Sequence, residues 1–198
     1  MKTLFLGYSE TKIIDFLKGE GENIVVEDQK LNLKEIQKID PDHIVSYGYR
    51  HIITPDIIEK YPDIVNLHVS YLPYNKGCDP NFWSWLENTP KGYTIHYIDQ
   101  GIDTGDILIQ EQGIFTEDET LATSYDKLRT GIENLFITNW ENLSNKKINP
   151  KKQNPLEGNH HYSKDLKKYE FLLEKEKWDT PVIELKKYGK INDLWRTK

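Results

Sequence analysis

The chain predicts an α/β fold, an open and mostly parallel twisted sheet with helices on both faces, followed by a short C-terminal appendage. Three observations predict it. Short apolar, β-branched runs recur at Thr3-Leu4-Phe5-Leu6-Gly7, Asn23 to Glu27, His43 to Tyr49 and Ile64 to Ser70. Segments of helical character separate them, and that alternation implies right-handed crossovers between parallel strands. With 198 residues, 37% hydrophobic and 29% charged, the chain has material for one good core and a tail.

Taken in order, the first run ends at Gly7 and leads into an amphipathic helix, Thr11 to Lys18, with Ile13, Ile14, Phe16 and Leu17 inward. Its turn, Gly7-Tyr8-Ser9-Glu10, has a single glycine and a carboxylate that repels phosphate, which excludes a dinucleotide loop. A polar, weakly periodic segment around Leu33, Ile36 and Ile39 separates the second and third strands. Beyond the third, Thr54 reads as a helix N-cap and Pro55 as the first helical position. Pro80 to Leu86 begins another helix, on which Trp83 and Trp85 either stack on a ring-bearing ligand or pack on the sheet. Tyr93 to Asp99 and Asp106 to Ile114 read as strands joined by the loop Gln100 to Gly105. Thr120 to Leu143 reads as a long helix with Glu119 suited to its positive end. Pro150 to Pro155 breaks the pattern as a linker, dividing a main domain, residues 1–149, from an extension, residues 150–198.

The net charge of -6 is unevenly spread. Residues 1–145 carry 12 Lys and Arg against 24 Asp and Glu, and residues 146–198 carry 14 against 8. Acids interleave the basic tail, so it reads as a solvated face or a subunit contact rather than a nucleic-acid surface. Its apolar residues, among them Tyr169, Phe171, Leu172, Leu173, Trp178, Val182, Ile183 and Trp195, imply a homodimer interface or a small substructure. No apolar run approaches the ~20 residues needed to span a bilayer, and the N-terminal stretch is too short for a secretory signal. A cytoplasmic protein with no membrane partner is therefore expected. The single Cys78 excludes an internal disulfide and a cysteine-built zinc site. His160 and His161 have no carboxylate or cysteine at ligand spacing, so no metal is expected.

The most informative stretch is Ile64 to Trp85. Asn66 and His68 stand two apart on an extended run and so point to one side of a strand. A shaped loop follows, Tyr71-Leu72-Pro73-Tyr74-Asn75-Lys76-Gly77, at the strand end where α/β sheets hold ligands. An amide donor beside an imidazole can stabilise an oxyanion and move a proton. Equally, Asn66 can cap a turn and His68 can be a satisfied core histidine.

A second stretch, Thr94 to Leu108, joins the first to make a longer pattern. Asn-x-His with Ser-x-Leu-Pro and Gly, then His-x-x-Asp-x-Gly-x-Asp-x-Gly from His96 to Gly105, resembles the 10-formyltetrahydrofolate-dependent formyltransferases. The resemblance implies a Rossmann-like formyltransferase fold and catalytic roles for Asn66, His68 and Asp103, with Asp99 and Asp106 as rival carboxylates. It implies a folate pocket walled by Tyr49, Arg50, His51, Ile52 and Ile53 on one side and by Ile98, Asp99, Gly101 and Ile102 on the other. His51 is alternatively an exposed loop histidine. The segment Gly158 to Leu166 resembles the sugar-nucleotide branch of the family, and Tyr71 to Gly77 with Asn81-Phe82-Trp83 look like that branch too, which implies a nucleotide-linked amino sugar as acceptor. Tyr74, Lys76, Gly77 and Asn81 are its expected contacts; Lys76 either neutralises a pyrophosphate or is solvated. Methionyl-tRNA formyltransferases carry a substantial tRNA-binding domain that 53 residues are too few to supply. Glycinamide ribonucleotide transformylases carry a glycine-rich loop that Gly7 to Glu10 lacks, and formyltetrahydrofolate deformylases usually carry an N-terminal regulatory domain. The alternatives are another folate-dependent formyltransferase, of the glycinamide ribonucleotide type, and a non-catalytic nucleotide-sugar binding module.

Overall fold

The computed structural model describes residues 1–195. Its elements follow as β1 (Lys2–Gly7), α1 (Lys12–Gly19), β2 (Asn23–Glu27), α2 (Leu33–Ile39), β3 (His43–Tyr47), α3 (Pro55–Lys60) and β4 (Val65–His68). Then come β5 (Lys76–Gly77), α4 (Pro80–Leu86), β6 (Gly92–Tyr97), β7 (Ile107–Gln112), α5 (Leu121–Ser144), β8 (His160–His161) and α6 (Val182–Ile191). Two 3-10 segments, Leu166–Leu172 and Lys177–Asp179, lie between β8 and α6.

The main sheet has the order β2-β1-β3-β4-β6-β7, and β5 pairs with β8 in a separate two-stranded sheet. Strand β1 runs parallel to both β2 and β3, and β3 parallel to β4. Strand β6 is the reversed member of the mostly parallel sheet. Ile98 N–H donates to Ile64 C=O, whereas the side chain of Asn66 meets that of His96, so facing positions fall along β6 as they rise along β4. Tyr97 N–H likewise donates to Asp106 C=O and Gly113 N–H to Lys91 C=O, which makes β7 antiparallel to β6.

The chain divides into two compact units, each built from three segments. One holds Met1–His68, Ile95–Ile109 and Ile132–Lys152; the other holds Val69–Thr94, Gln110–Gly131 and the chain from Gln153 on. This differs from a cut near residue 150, and the cores give the reason. Leu4, Leu6, Ile36, Ile44, Ile57 and Ile64 form one buried cluster, drawn from β1, α2, β3, α3 and the entry to β4. Phe82, Trp83, Trp85 and Leu86 of α4 are buried with Leu121, Val182 and Leu185 in the other, so α4 is covered by the C-terminal segment. Both tryptophans are thus core residues, at 2% and 4% exposure, rather than surfaces for a ligand.

Local chemistry sets the helix starts of the first unit. Thr11 Oγ accepts from Ile14 N–H at the head of α1, and Asn32 with Glu35 forms a capping box on α2. Thr54 occupies the cap position of α3, yet its hydroxyl makes no capping bond there. The expected linker is partly ordered: Lys151 exchanges two 2.8 Å backbone hydrogen bonds with Ile107. In the C-terminal segment, Tyr169, Leu172 and Leu173 pack against the α4 cluster, while Phe171 and Trp178 stay half exposed. The last three residues of the expected extension, 196–198, lie outside the described residues. Among those described, no helix is long and apolar enough to cross a membrane.

Candidate active site

Asn66, His68, His96 and Asp103 converge within the first unit. Their strands explain why. Asn66 and His68 alternate with buried Leu67 on β4, and His96 occupies the position of β6 facing Asn66. Asp103 comes from the loop after β6, where its backbone is left-handed at φ 54°, a conformation Asp tolerates better than most residues. Two features close that loop. Asp99 Oδ1 accepts from Gly101 N–H at 3.0 Å and from the Thr104 hydroxyl at 2.6 Å. A Cβ on Gly105 would stand 1.8 Å from the carbonyl oxygen of Tyr97, so only glycine fits.

The protons of the cluster follow from its distances. His96 Nδ1 lies 2.7 Å from the carbonyl oxygen of Tyr97, which can only accept, so Nδ1 carries hydrogen. In the neutral ring Nε2 is then an acceptor. Asn66 Nδ2 stands 3.2 Å from that nitrogen and 3.3 Å from Asp103 Oδ1, and thereby directs its two hydrogens at His96 and Asp103. His68 Nδ1 is 3.6 Å from Asp103 Oδ2, beyond hydrogen-bond length but close enough to pair with the carboxylate once the imidazole is protonated. His68 and His96 are 7% and 1% exposed, so these charges and dipoles act in a partly dehydrated site. An amide with two long hydrogen bonds, an imidazole and a carboxylate can together bind a developing oxyanion and carry a proton. The structure therefore brings Asn66, His68 and Asp103 together. Asp99 is engaged in closing its own loop, and Asp106 pairs with Tyr97 through its backbone.

Residues 18–139 match the model of the family described as formyl transferase, more than half of the chain. The chain belongs to the formyl transferase family. A solved structure of the formyltransferase PseJ from Anoxybacillus kamchatkensis, in complex with UDP-4,6-dideoxy-4-formamido-L-AltNAc and tetrahydrofolate, is 45% identical with a TM-score of 0.89. That likeness covers 95% of this chain and 100% of PseJ. A 4-N formyltransferase from Francisella tularensis shares the fold at 23% identity and a TM-score of 0.74, over 84% of this chain and 78% of that one. Methionyl-tRNA formyltransferase of Clostridium botulinum is 33% identical over 146 residues, 72% of this chain. The chain spans about half of that relative's length, 46%.

The residues that the formyltransferase resemblance assigned to a folate pocket are variously exposed. Tyr49 is anchored: its hydroxyl donates to Gln29 C=O at 2.9 Å and accepts from Leu31 N–H at 3.3 Å. Burial, opposed by that N–H, raises its pKa. His51 sets its ring edge-on to Tyr49 at 5.3 Å and is exposed with Arg50. Ile53 and Ile98 pack on the first core; Ile52 at 77% and Ile102 at 42% present apolar surface to solvent, as do the exposed Asp99 and Gly101 their polar and backbone atoms.

The acceptor candidates lie in the second unit. Tyr74 and Gly77 are half-buried, and Lys76 is buried on β5 instead of solvated. Asn81 is also buried, and its Nδ2 donates to Leu121 C=O at 2.9 Å and to the Ser124 hydroxyl at 3.0 Å. Both of its amide hydrogens are therefore occupied in joining α4 to the start of α5. Sequence reasoning missed His96 as a member of the cluster, although it stands in the quoted motif. Its signal was the alternation of β6, which puts His96 on one face with Thr94, but only the register against β4 reveals Asn66 as its partner. Among the described residues no group of three or more His, Cys, Asp or Glu is arranged to hold a metal ion.

Proposed function

We propose that this chain transfers the formyl group of 10-formyltetrahydrofolate to the primary amine of a nucleotide-linked amino sugar, as a cytoplasmic homodimer serving surface-glycan synthesis. One observation carries the reading. The cluster of Asn66, His68 and Asp103 occurs in a chain that aligns over 95% of its length with PseJ, which was solved with a formamido sugar nucleotide and tetrahydrofolate. In the reaction the acceptor nitrogen attacks the formyl carbon, and a C–N bond forms as the carbonyl oxygen becomes an oxyanion. Asn66 stabilises that oxygen by exchanging one of its long bonds, 3.2 and 3.3 Å, for a shorter one to the anion. His68 receives the proton leaving the amine, and Asp103 favours the resulting imidazolium. Collapse breaks the bond to the folate N10, which takes the proton. These steps use only side chains of this chain.

Incubation with 10-formyltetrahydrofolate and a panel of dTDP- and UDP-linked amino sugars tests the reading, with a gain of one formyl mass on the sugar as the expected result. An arm with initiator methionyl-tRNA tests the acceptor suggested by the 33% identical relatives. Formylation of the tRNA alone would replace the sugar, and folate binding without transfer to any acceptor would favour a binding module.

A further inference from the structure

The second unit contains a buried polar network that the catalytic cluster does not use. Strand β8 lies parallel to β5, with Lys76 facing His160 and Gly77 facing His161. Lys76 N–H donates to Asn159 C=O at 3.1 Å and Cys78 N–H to His161 C=O at 2.9 Å. The approach is close: a Cβ on Gly77, whose φ is +88°, would lie 2.2 Å from the carbonyl oxygen of His161. Side chains repeat the connection. Asn159 Oδ1 accepts from Asn75 N–H at 2.6 Å, and Asn159 Nδ2 donates back to Asn75 Oδ1 at 3.1 Å. Asn75 is fully buried, has a left-handed backbone at φ 56°, and bonds Thr89 Oγ1 at 2.8 Å.

Glu87 is the hub on the other side. Its Oε2 lies 2.5 Å from Asn159 Nδ2 and 3.4 Å from His161 Nε2, and Asn159 Nδ2 is also 3.1 Å from His161 Nε2. The amide of Asn159 has two hydrogens for three neighbours. One assignment satisfies all of them: the hydrogens go to Asn75 and Glu87, and His161 Nε2–H donates to Glu87. Trp83 fixes the plane of that imidazole by stacking on it at 3.9 Å between centroids and 6° between planes. Glu87 and His161 are 5% and 7% exposed, where a carboxylate without its donors is costly.

The family match ends at residue 139, so Asn75, Lys76 and Glu87 belong to the matched region whereas Asn159 and His161 do not. We infer that Glu87, Asn159 and His161 are positioning residues that hold the loop from Tyr71 to Asp79 in its acceptor-binding shape, making the C-terminal strand β8 a determinant of which acceptor is used. The inference rests on the proposed sugar-nucleotide acceptor and on the expectation that Tyr74, Lys76 and Gly77 of that loop contact it. It assigns these residues no contact with the reacting atoms.

The test is a two-substrate kinetic comparison. Asn159→Asp keeps the shape but sets a second carboxylate against Glu87, and is expected to raise the acceptor KM about tenfold or more, the scale of one charge-assisted hydrogen bond. The KM for 10-formyltetrahydrofolate stays within about twofold, as expected when only acceptor binding is lost. Adding Glu87→Gln turns the donor–acceptor pair around, since the introduced amide then donates to the introduced carboxylate, and restores the acceptor KM. His161→Phe keeps the stack on Trp83 while removing Nε2, and serves as second variant should Asn159→Asp not fold. An acceptor KM unchanged in folded Asn159→Asp or His161→Phe, or both KM values rising together without recovery in the double variant, overturns the inference while formyl transfer to the sugar stands. A wild-type protein inert toward every amino sugar nucleotide overturns the acceptor reading itself and this inference with it.

Discussion

At the scale of single residues, the amide of Asn66 is held from two sides, and each side makes a separable prediction. Asn66→Ala is expected to lower turnover by about 10²–10³-fold, the typical effect of removing one preorganised oxyanion donor, with folate affinity retained. Asp103→Asn preserves shape but removes the charge facing His68 and His96, and is expected to slow turnover far more than Asp99→Asn. The latter retains an oxygen to accept from Gly101 and Thr104. Steady-state rates of the three folded variants decide this, and an inactive Asp99→Asn beside an active Asp103→Asn would reverse the assignment. In the proposed mechanism His96 acts through Asn66: its Nε2 accepts the amide, and its own Nδ1–H is committed to Tyr97. His96→Leu should therefore lower kcat about tenfold with little change in folate KM, and His96→Gln, which can restore an acceptor, should recover part of it. The convergence of Asn66, His68 and Asp103 was legible because their spacing along the chain carries the pattern. That of His96 was not, because its meaning depends on a partner on another strand.

At the scale of elements, β1, β2, β3, β4 and the helices α1 and α5 were readable from apolar runs and helical spacing. The direction of β6 was not, since a strand's own alternation is the same whichever way it runs. Strands β5 and β8 were invisible for a different reason: two residues each have no period, and their pairing is made by side-chain amides and close backbone approach. The connection from α4 to β6 carries another unusual group. Lys91 Nζ donates to Ser84 C=O at 3.0 Å and Thr89 C=O at 3.1 Å and lies 4.3 Å from the centre of the Trp85 ring. Burial, then the charge of Lys186, lowers its pKa from 10.5 to about 8. In the interval between those values the unfolded chain binds a proton that the folded chain lacks, so stability from this group rises with pH; below about 8 both states are protonated and the contribution is flat. Urea midpoints measured from pH 7.5 to 9.5 should rise for the wild type relative to Lys91→Met, and equal slopes would count against a buried, proton-poor lysine. The upper limit of about 9.5 avoids the tyrosines, whose ordinary pKa is about 10.

At the scale of the whole molecule, the fold class was legible and the division of the chain was not. Composition marks the C-terminal segment as apolar enough to pack, but it cannot say that α4, nearly a hundred positions earlier, is what it packs on. Leu185 is fully buried in that cluster, so Leu185→Ala is expected to cost about 2–5 kcal/mol. Amide hydrogen exchange should show the loss in 69–94 and beyond 153 before 1–68, because the two buried clusters share no residue; uniform loss across the chain would contradict that. The same interleaving constrains the order of events during synthesis. The ribosome releases Phe82, Trp83, Trp85 and Leu86 long before Val182 and Leu185 exist to cover them. For that interval the most aromatic helix of the nascent chain is an open adhesive surface. A chain stopped near residue 150 would carry Asn66, His68, His96 and Asp103 yet keep that surface for life, so its fate is decided by chaperones and solubility rather than by chemistry.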